Sequence, residues 1–284
     1  MIPYRTLSLS LMCSTVLGTI SCVSTAEARQ QQQETREDAR ETRTTARERW
    51  DALVTQSFRN RPKTQAHPSL DYWDYSNGLP NVLIYGDSIS IDYTATVRAE
   101  LDGKANVIRL PANGSDSGMI ISKMKAMHTS MSDPALSDPW AMTWDVIHFN
   151  AGLHDLKYIS AGKMDKQKGT QVNSIGTYTS NLREAIGYFR EIAPDAALIF
   201  ATTTPVPEGE PGRFVEDAAR YNEAAIDVMM SADVAINDLY SFTLPHLDAW
   251  IVAPGNVHFT PAASELQGIE VARIIGHHLD SDGD

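Results

Sequence analysis

Residues 81–90 read NVLIYGDSIS, and this stretch determines the fold class. Its first half is apolar without alternation and predicts a strand buried on both faces, as in a parallel sheet. Gly86 and Asp87 end the strand, and a helical stretch follows. Ser88 is therefore predicted to begin a helix beside the carboxyl end of a strand. Backbone N–H groups and the helix dipole favour a developing negative charge at that position.

The same pattern continues along the chain. Further apolar runs of the strand type lie at 107–108, 146–149, 197–201 and 234–236. Helical periodicity predicts helices at 175–192, 215–230 and 261–279. Strands that alternate with helices predict an α/β fold, a three-layer α/β/α sandwich with a flavodoxin-like sheet of five parallel strands. Function in such sheets collects at the carboxyl ends of the strands.

The N-terminal segment 1–28 is predicted to be a signal peptide. Its apolar part, 7–23, is short for a membrane span, and a small-x-small cleavage site ends at Ala28. We therefore expect a secreted or periplasmic protein. An uncleaved anchor and a lipoprotein with a lipidated Cys22 are the alternatives. Cys13 and Cys22 both lie in this segment, so the mature chain would have no disulfide and no cysteine nucleophile.

Segment 29–79 is predicted to be a polar tether and lead-in, and 80–284 the main domain. Within the lead-in, Trp50 and Phe58 belong to an apolar series at helical spacing that suggests a packed extension. The formal net charge of the chain is −12. An acidic chain is a poor partner for nucleic acid or an anionic membrane, so we expect neither nucleic-acid binding nor stable membrane insertion of the mature chain.

A serine nucleophile needs a base, and His258 is the candidate. It lies in GNVHFTP at 255–261, a loop directly before the last predicted helix. Each signal also has an ordinary explanation. Asp87 and Ser88 could simply cap a helix, and a lone histidine is more often a satisfied loop or core residue. Together they favour a catalytic pair.

These motifs resemble the sequence blocks of the GDSL/SGNH hydrolase superfamily. Gly86-Asp87-Ser88 matches the first block and Val257-His258-Phe259-Thr260 the last. The other blocks are represented by Gly114 (with Gly118 as the alternative) for the second, 150–155 for the third and 202–205 for the fourth. The resemblance covers roughly residues 80–280 in the expected order.

The resemblance implies a role for each matched residue. Ser88 would be the nucleophile of an ester hydrolase and His258 its base. The oxyanion hole would consist of the backbone N–H groups of Ser88 and Gly114 and a side-chain donor, His154. Asp87 and Asp155 would support the site, and neither cofactor nor metal is expected.

The sequence departs from the family pattern at two positions. His154 stands where the family has Asn; a neutral imidazole can still donate one N–H. Gly255 stands where the family has the Asp that orients the catalytic histidine, and losing that carboxylate costs roughly 10⁴ in rate in a serine protease. A backbone carbonyl or another acid such as Asp248 could replace it, and Asn256 could hydrogen-bond without a charge. We therefore predict a Ser–His dyad.

The expected substrate is a small-molecule or polysaccharide ester. A carbohydrate O-acetyl ester is the first expectation, a lipid acyl ester the second. A degenerate hydrolase that only binds a glycan is the alternative of a different class. Arg109, at the end of the second predicted strand, could bind a carboxylate or sulfate of the substrate or make a structural salt bridge.

Overall fold

The computed structural model describes residue 30, residues 43–75 and residues 78–281. The chain divides into two units, Met1–Arg43 and Thr44–Asp284, and every element below belongs to the second. The predicted signal peptide, with Cys13 and Cys22, lies outside the described residues. Among the residues that are described, no helix is both long and apolar enough to cross a membrane.

The core of the molecule is a parallel sheet. In chain order the strands of the protein are β1 Asn81–Tyr85, β2 Asn106–Arg109, β3 Val146–Phe149, β4 Tyr158–Ser160, β5 Lys163–Met164, β6 Thr170–Gln171, β7 Ala197–Ala201 and β8 Ala235–Asn237. Five of them form the central sheet in the order β2-β1-β3-β7-β8, with every pair parallel. The predicted five-stranded, flavodoxin-like sheet is confirmed. The apolar runs fill it because both faces are covered.

Helices form the outer layers. They are α1 Ala46–Phe58, α2 Pro62–Gln65, α3 Ser88–Glu100, α4 Ile120–Met131, α5 Ile175–Ile192, α6 Val215–Ser231, α7 Leu239–Thr243, α8 Leu247–Trp250 and α9 Pro261–Ser281. Helix α9 packs along α3 in one layer, whereas α4, α5 and α6 pack side by side in the other. Because α3 begins where β1 ends and α9 lies against it, the start of α9 is brought close to the start of α3.

A small second sheet was not predicted from the sequence. Strands β4, β5 and β6 pair antiparallel in the order β5-β4-β6. They are two or three residues long and none of their residues is fully buried. Such short, partly exposed strands have no apolar run that periodicity could detect.

The compact unit begins at Thr44, before the predicted boundary at residue 80. Thr45 caps α1 in a reciprocal capping box with Glu48. One face of the helix is buried: Trp50 is 1% exposed, and its Nε1–H donates to the Leu70 carbonyl at 2.7 Å. The apolar series that suggested a packed extension thus belongs to the core.

Candidate active site

Ser88 is the first residue of α3 and directly follows the turn after β1. Asp87 is the N-cap: its side chain accepts the Ile89 N–H at 3.0 Å. This bond satisfies one of the free N–H groups at the helix start and fixes the turn. The Ser88 side chain remains half-exposed at the carboxyl end of the sheet.

The buried side chain of Arg109 stabilises the turn that precedes Ser88. It is fully buried, at the end of β2, and burial lowers its pKa to about 10. Its guanidinium donates at 2.6–2.9 Å to Leu110 O, Ala112 O, Gly86 O, Asp87 O and Ser90 Oγ. Neither predicted role of Arg109 is correct, because within the described residues it has no acidic partner and its buried side chain has no open face for a ligand. It ties the Ser88 turn to the loop after β2 through carbonyl oxygens.

His258 lies within hydrogen-bond distance of Ser88. Its Nε2 is 2.9 Å from Ser88 Oγ. Asn256 Oδ1 is 2.9 Å from the His258 backbone N, whose N–H it accepts, and 2.9 Å from His258 Nδ1. An amide oxygen has no proton to donate, so Nδ1 must carry the hydrogen. Nε2 is then unprotonated and accepts the Ser88 hydroxyl proton, which is the tautomer a general base requires.

The backbone at Gly255 explains why no aspartate stands at this position. Its φ is +71°, in the left-handed region. A Cβ there would lie 2.8 Å from the Gly209 carbonyl oxygen. An aspartate cannot fit without moving the loop, and the acceptor comes from Asn256 instead. Asp248 is exposed on α8 and makes no hydrogen bond to His258.

Gly114 approaches the Ser88 turn closely, but its N–H already has an acceptor. It donates to the Gly86 carbonyl at 2.8 Å, and a Cβ at Gly114 would lie 2.6 Å from that oxygen. The glycine is thus explained by the close contact of two backbones. Its predicted role as an oxyanion donor is not supported by this bond. The alternative, Gly118, donates its N–H to Asp116 Oδ1 at 3.1 Å.

His154 is held by Lys157. Lys157 Nζ lies 3.2 Å from His154 Nδ1. Burial, together with the nearby charges of Lys157 and Arg213, lowers the pKa of His154 to about 4, although Asp87 opposes the shift. The imidazole is therefore neutral near pH 7. An ammonium can only donate, so Nδ1 accepts and the single ring hydrogen is on Nε2.

Asp155, next in the chain, connects two loops. It is fully buried and accepts the Ser117 N–H at 3.0 Å, the Ser117 hydroxyl at 2.5 Å and the Asn173 Nδ2–H at 2.7 Å. These bonds join the loop after β3 to the loop after β2 and to the segment between β6 and α5. The position of His154 thus depends on Asp155.

A cleft of about 530 Å³ joins these residues. Its walls include Ser88, His258, His154 and Asn113. We did not predict a role for Asn113. Its Oδ1 accepts the Ser115 N–H at 2.9 Å, and among the described residues its Nδ2 has no acceptor. The sequence already shows that Asn113 precedes the glycine matched to the second block. Only the fold shows that Asn113 lines the catalytic cleft. In the described part of the chain, no three His, Cys, Asp or Glu side chains form a metal-binding group.

Comparison with solved structures identifies the fold. The lipase/acylhydrolase from Enterococcus faecalis superposes with a TM-score of 0.53 and 18% identity, over 70% of this chain and 96% of that one. The acetylxylan esterase Axe2 from Geobacillus stearothermophilus gives 0.52 and 14%, over 70% and 94%. The acetyl xylan esterase AlAXEase gives 0.52 and 13%, over 69% and 99%. No family model and no curated protein matches the sequence.

The chain therefore has the fold of the GDSL/SGNH hydrolases, as its motifs predicted. At these identities the likeness extends to the fold alone.

Proposed function

We propose that this protein is an exported serine esterase that hydrolyses a carbohydrate O-acetyl ester. The observation that carries the proposal is the 2.9 Å distance between Ser88 Oγ and His258 Nε2, because the two residues are 170 positions apart. The Asn256 acceptor supports it, since it leaves Nε2 free to take a proton. Export rests on the sequence of 1–28.

The reaction proceeds through an acyl-enzyme. Ser88 Oγ attacks the ester carbonyl carbon as its proton passes to His258 Nε2. The tetrahedral intermediate collapses, the bond from carbon to the alcohol oxygen breaks, and His258 gives its proton to the departing alcohol. Water then attacks acyl-Ser88 and loses a proton to His258. Release of the carboxylic acid returns the proton to Ser88 Oγ.

Three donors are available for the oxyanion. The Ser88 backbone N–H lies at the start of α3, where the helix dipole favours negative charge. His154 Nε2–H and the Asn113 amide lie in the same cleft. Because Gly114 donates to Gly86, we assign its place to Asn113.

Two observations favour a carbohydrate ester over a lipid ester. Solved proteins with this fold include acetylxylan esterases, although one is a lipase/acylhydrolase. The lining of the cleft around Ser88 includes Arg61, Asn113 and Lys157, whose side chains can hydrogen-bond to sugar hydroxyls. A lipid acyl esterase is the second candidate, because a solved lipase/acylhydrolase has the same fold.

The test is acetate release by the purified chain from acetylated xylan, compared with a medium-chain p-nitrophenyl ester. We expect Ser88→Ala and His258→Ala each to abolish release, and Ser88 to react with a fluorophosphonate probe. Ser180→Ala, at an exposed serine on α5 outside the cleft, is the matched control substitution. Full activity of Ser88→Ala would contradict the proposal. A chain that binds acetylated xylan but neither reacts with the probe nor releases acetate would be the degenerate glycan-binding protein.

A further inference from the structure

A second, larger cleft opens beside the catalytic one. It measures about 770 Å³ and lies between the end of α1, the loop after β2 and helix α4. Three residues, Arg61, Asn113 and His154, line both clefts. A molecule whose ester lies at Ser88 would therefore extend directly into this space.

The charged residues that line the larger cleft are basic, whereas the chain as a whole is acidic. The sequence has 36 acidic and 24 basic residues. Among the residues that the structure describes, the larger cleft is nevertheless lined by Arg59, Arg61 and Lys123 and by no Asp or Glu. Cations gathered beside a catalytic site raise the local concentration of anionic ligands.

The two arginines are open to a ligand. Arg59 and Arg61 are exposed, on either side of Asn60 in the turn that follows buried Phe58. Within the part of the chain that the structure describes, neither guanidinium has an ion pair or a hydrogen bond. Arginine binds carboxylate and sulfate oxygens through two parallel N–H groups.

Lys123 provides a third donor deeper in the cleft. Its Nζ donates to the Asn113 carbonyl oxygen and to Ser115 Oγ. An ammonium has three N–H groups, so one is left for a ligand. Lys123 also holds the loop that carries Asn113, which places this donor beside the proposed oxyanion site.

We propose that the larger cleft is a subsite for an anionic glycan, whose carboxylate or sulfate groups bind Arg59, Arg61 and Lys123. The inference rests on the proposed esterase function and narrows its substrate to acidic O-acetylated polysaccharides. The exposed rim supports a glycan over a phospholipid, since Gln56, Ser57 and Asn60 offer hydrogen bonds to sugar hydroxyls.

The test compares kcat/KM for acetate release from O-acetylated oligogalacturonate, an O-acetylated sulfated oligosaccharide and neutral acetylated xylo-oligosaccharide. We expect the wild-type protein to prefer at least one acidic substrate, with a preference that falls as NaCl rises from 50 to 500 mM because salt screens exposed charges. The double substitution Arg59→Gln and Arg61→Gln should lower the acidic-to-neutral ratio about tenfold, chiefly through KM. Arg183→Gln, an exposed arginine on α5 outside both clefts, is the matched control.

Binding without turnover separates this inference from the esterase proposal. The Ser88→Ala protein should bind acidic oligosaccharide more tightly than neutral, as measured by calorimetry, even if Ser88 proves inert. Esterase activity with no acidic preference, or a preference that the double substitution leaves intact, would overturn the subsite and leave the esterase standing. Arginine-dependent turnover of an anionic phospholipid alone would overturn the glycan assignment.

Discussion

The orienting role of Asn256 can be tested by changing only its charge. Asn256→Asp keeps an oxygen acceptor where Oδ1 now lies, 2.9 Å from His258 Nδ1. During the reaction His258 becomes a cation. At roughly 4 Å and an effective dielectric constant of about 20, a carboxylate attracts that cation by about 4 kcal/mol.

The net gain in rate should be smaller. His258 is half-exposed, so we discount the attraction by roughly half, and about 2 kcal/mol corresponds to about thirtyfold in kcat/KM. This is well below the roughly 10⁴ lost when an aspartate becomes an asparagine in a serine protease, where the tautomer is lost as well. Here Asn256 already imposes the right tautomer. The carboxylate also favours the imidazolium, so the acid limb of the pH–rate profile should move to higher pH.

Asn256→Ala is the opposite perturbation. It removes the acceptor of both the His258 backbone N–H and Nδ1–H. We expect kcat/KM to fall about 10- to 100-fold, from the loss of two hydrogen bonds of about 1 kcal/mol each and of the fixed tautomer. The assay is hydrolysis of p-nitrophenyl acetate from pH 5 to 9, with circular dichroism to verify folding.

One pair of results would refute this reasoning. If both variants fold and retain the wild-type rate and pH profile, Asn256 does not orient His258. Asp92, one turn after Ser88 on α3, is a carboxyl close enough for its charge to interact with that of His258. Both variants retain Asp92. A subsequent loss of activity in Asp92→Asn would then assign the role to that residue.

Three further predictions concern the residues around the dyad. Asn113→Asp keeps the acceptor for the Ser115 N–H but removes the amide donor, so kcat should fall about 10²-fold or more with little change in the melting temperature. Lys157→Met removes the donor that fixes the tautomer of His154 and should raise the pKa of His154 from about 4. The kcat of this variant relative to wild type should be lowest near pH 7 and should recover as pH falls, because the imidazolium carries both N–H groups. Lys157→Arg should retain the rate. Arg109→Met leaves buried carbonyls unpaired and should lower the free energy of unfolding in urea by about 3 kcal/mol or more, with Arg109→Lys intermediate.

Local patterns were sufficient for the central sheet and for helices α3, α5, α6 and α9, whereas α4 was not predicted. Strands β1, β3 and β7 are largely apolar runs, and the end of each is marked by glycine or polar residues. The dyad was also predictable, because Ser88 and His258 each lie at the start of a helix in a distinctive short motif. The second sheet, β4 to β6, was not predictable, since its exposed strands have no periodic signal.

The details of the site depended on contacts between segments that are distant in the sequence. Arg109 was expected to bind a ligand or an acid, but it binds Ser90 Oγ and four carbonyl oxygens from two loops that only the β1–β2 pairing brings together. Gly114 was expected to donate to the oxyanion, but the same pairing places its N–H on Gly86.

The sequence by itself therefore determined the chain order of the central strands and of helices α3, α5, α6 and α9, the fold class and the two candidate catalytic residues, because these follow from hydrophobic periodicity and short motifs within one segment. The tertiary structure alone decided which atom accepts the hydrogen of His258 Nδ1, how Lys157 sets the tautomer of His154, and that Arg59 and Arg61 face a cleft beside Ser88. Hydrogen-bond partners and cleft walls are assembled from distant segments, and their geometry exists only once the helices have packed on the sheet.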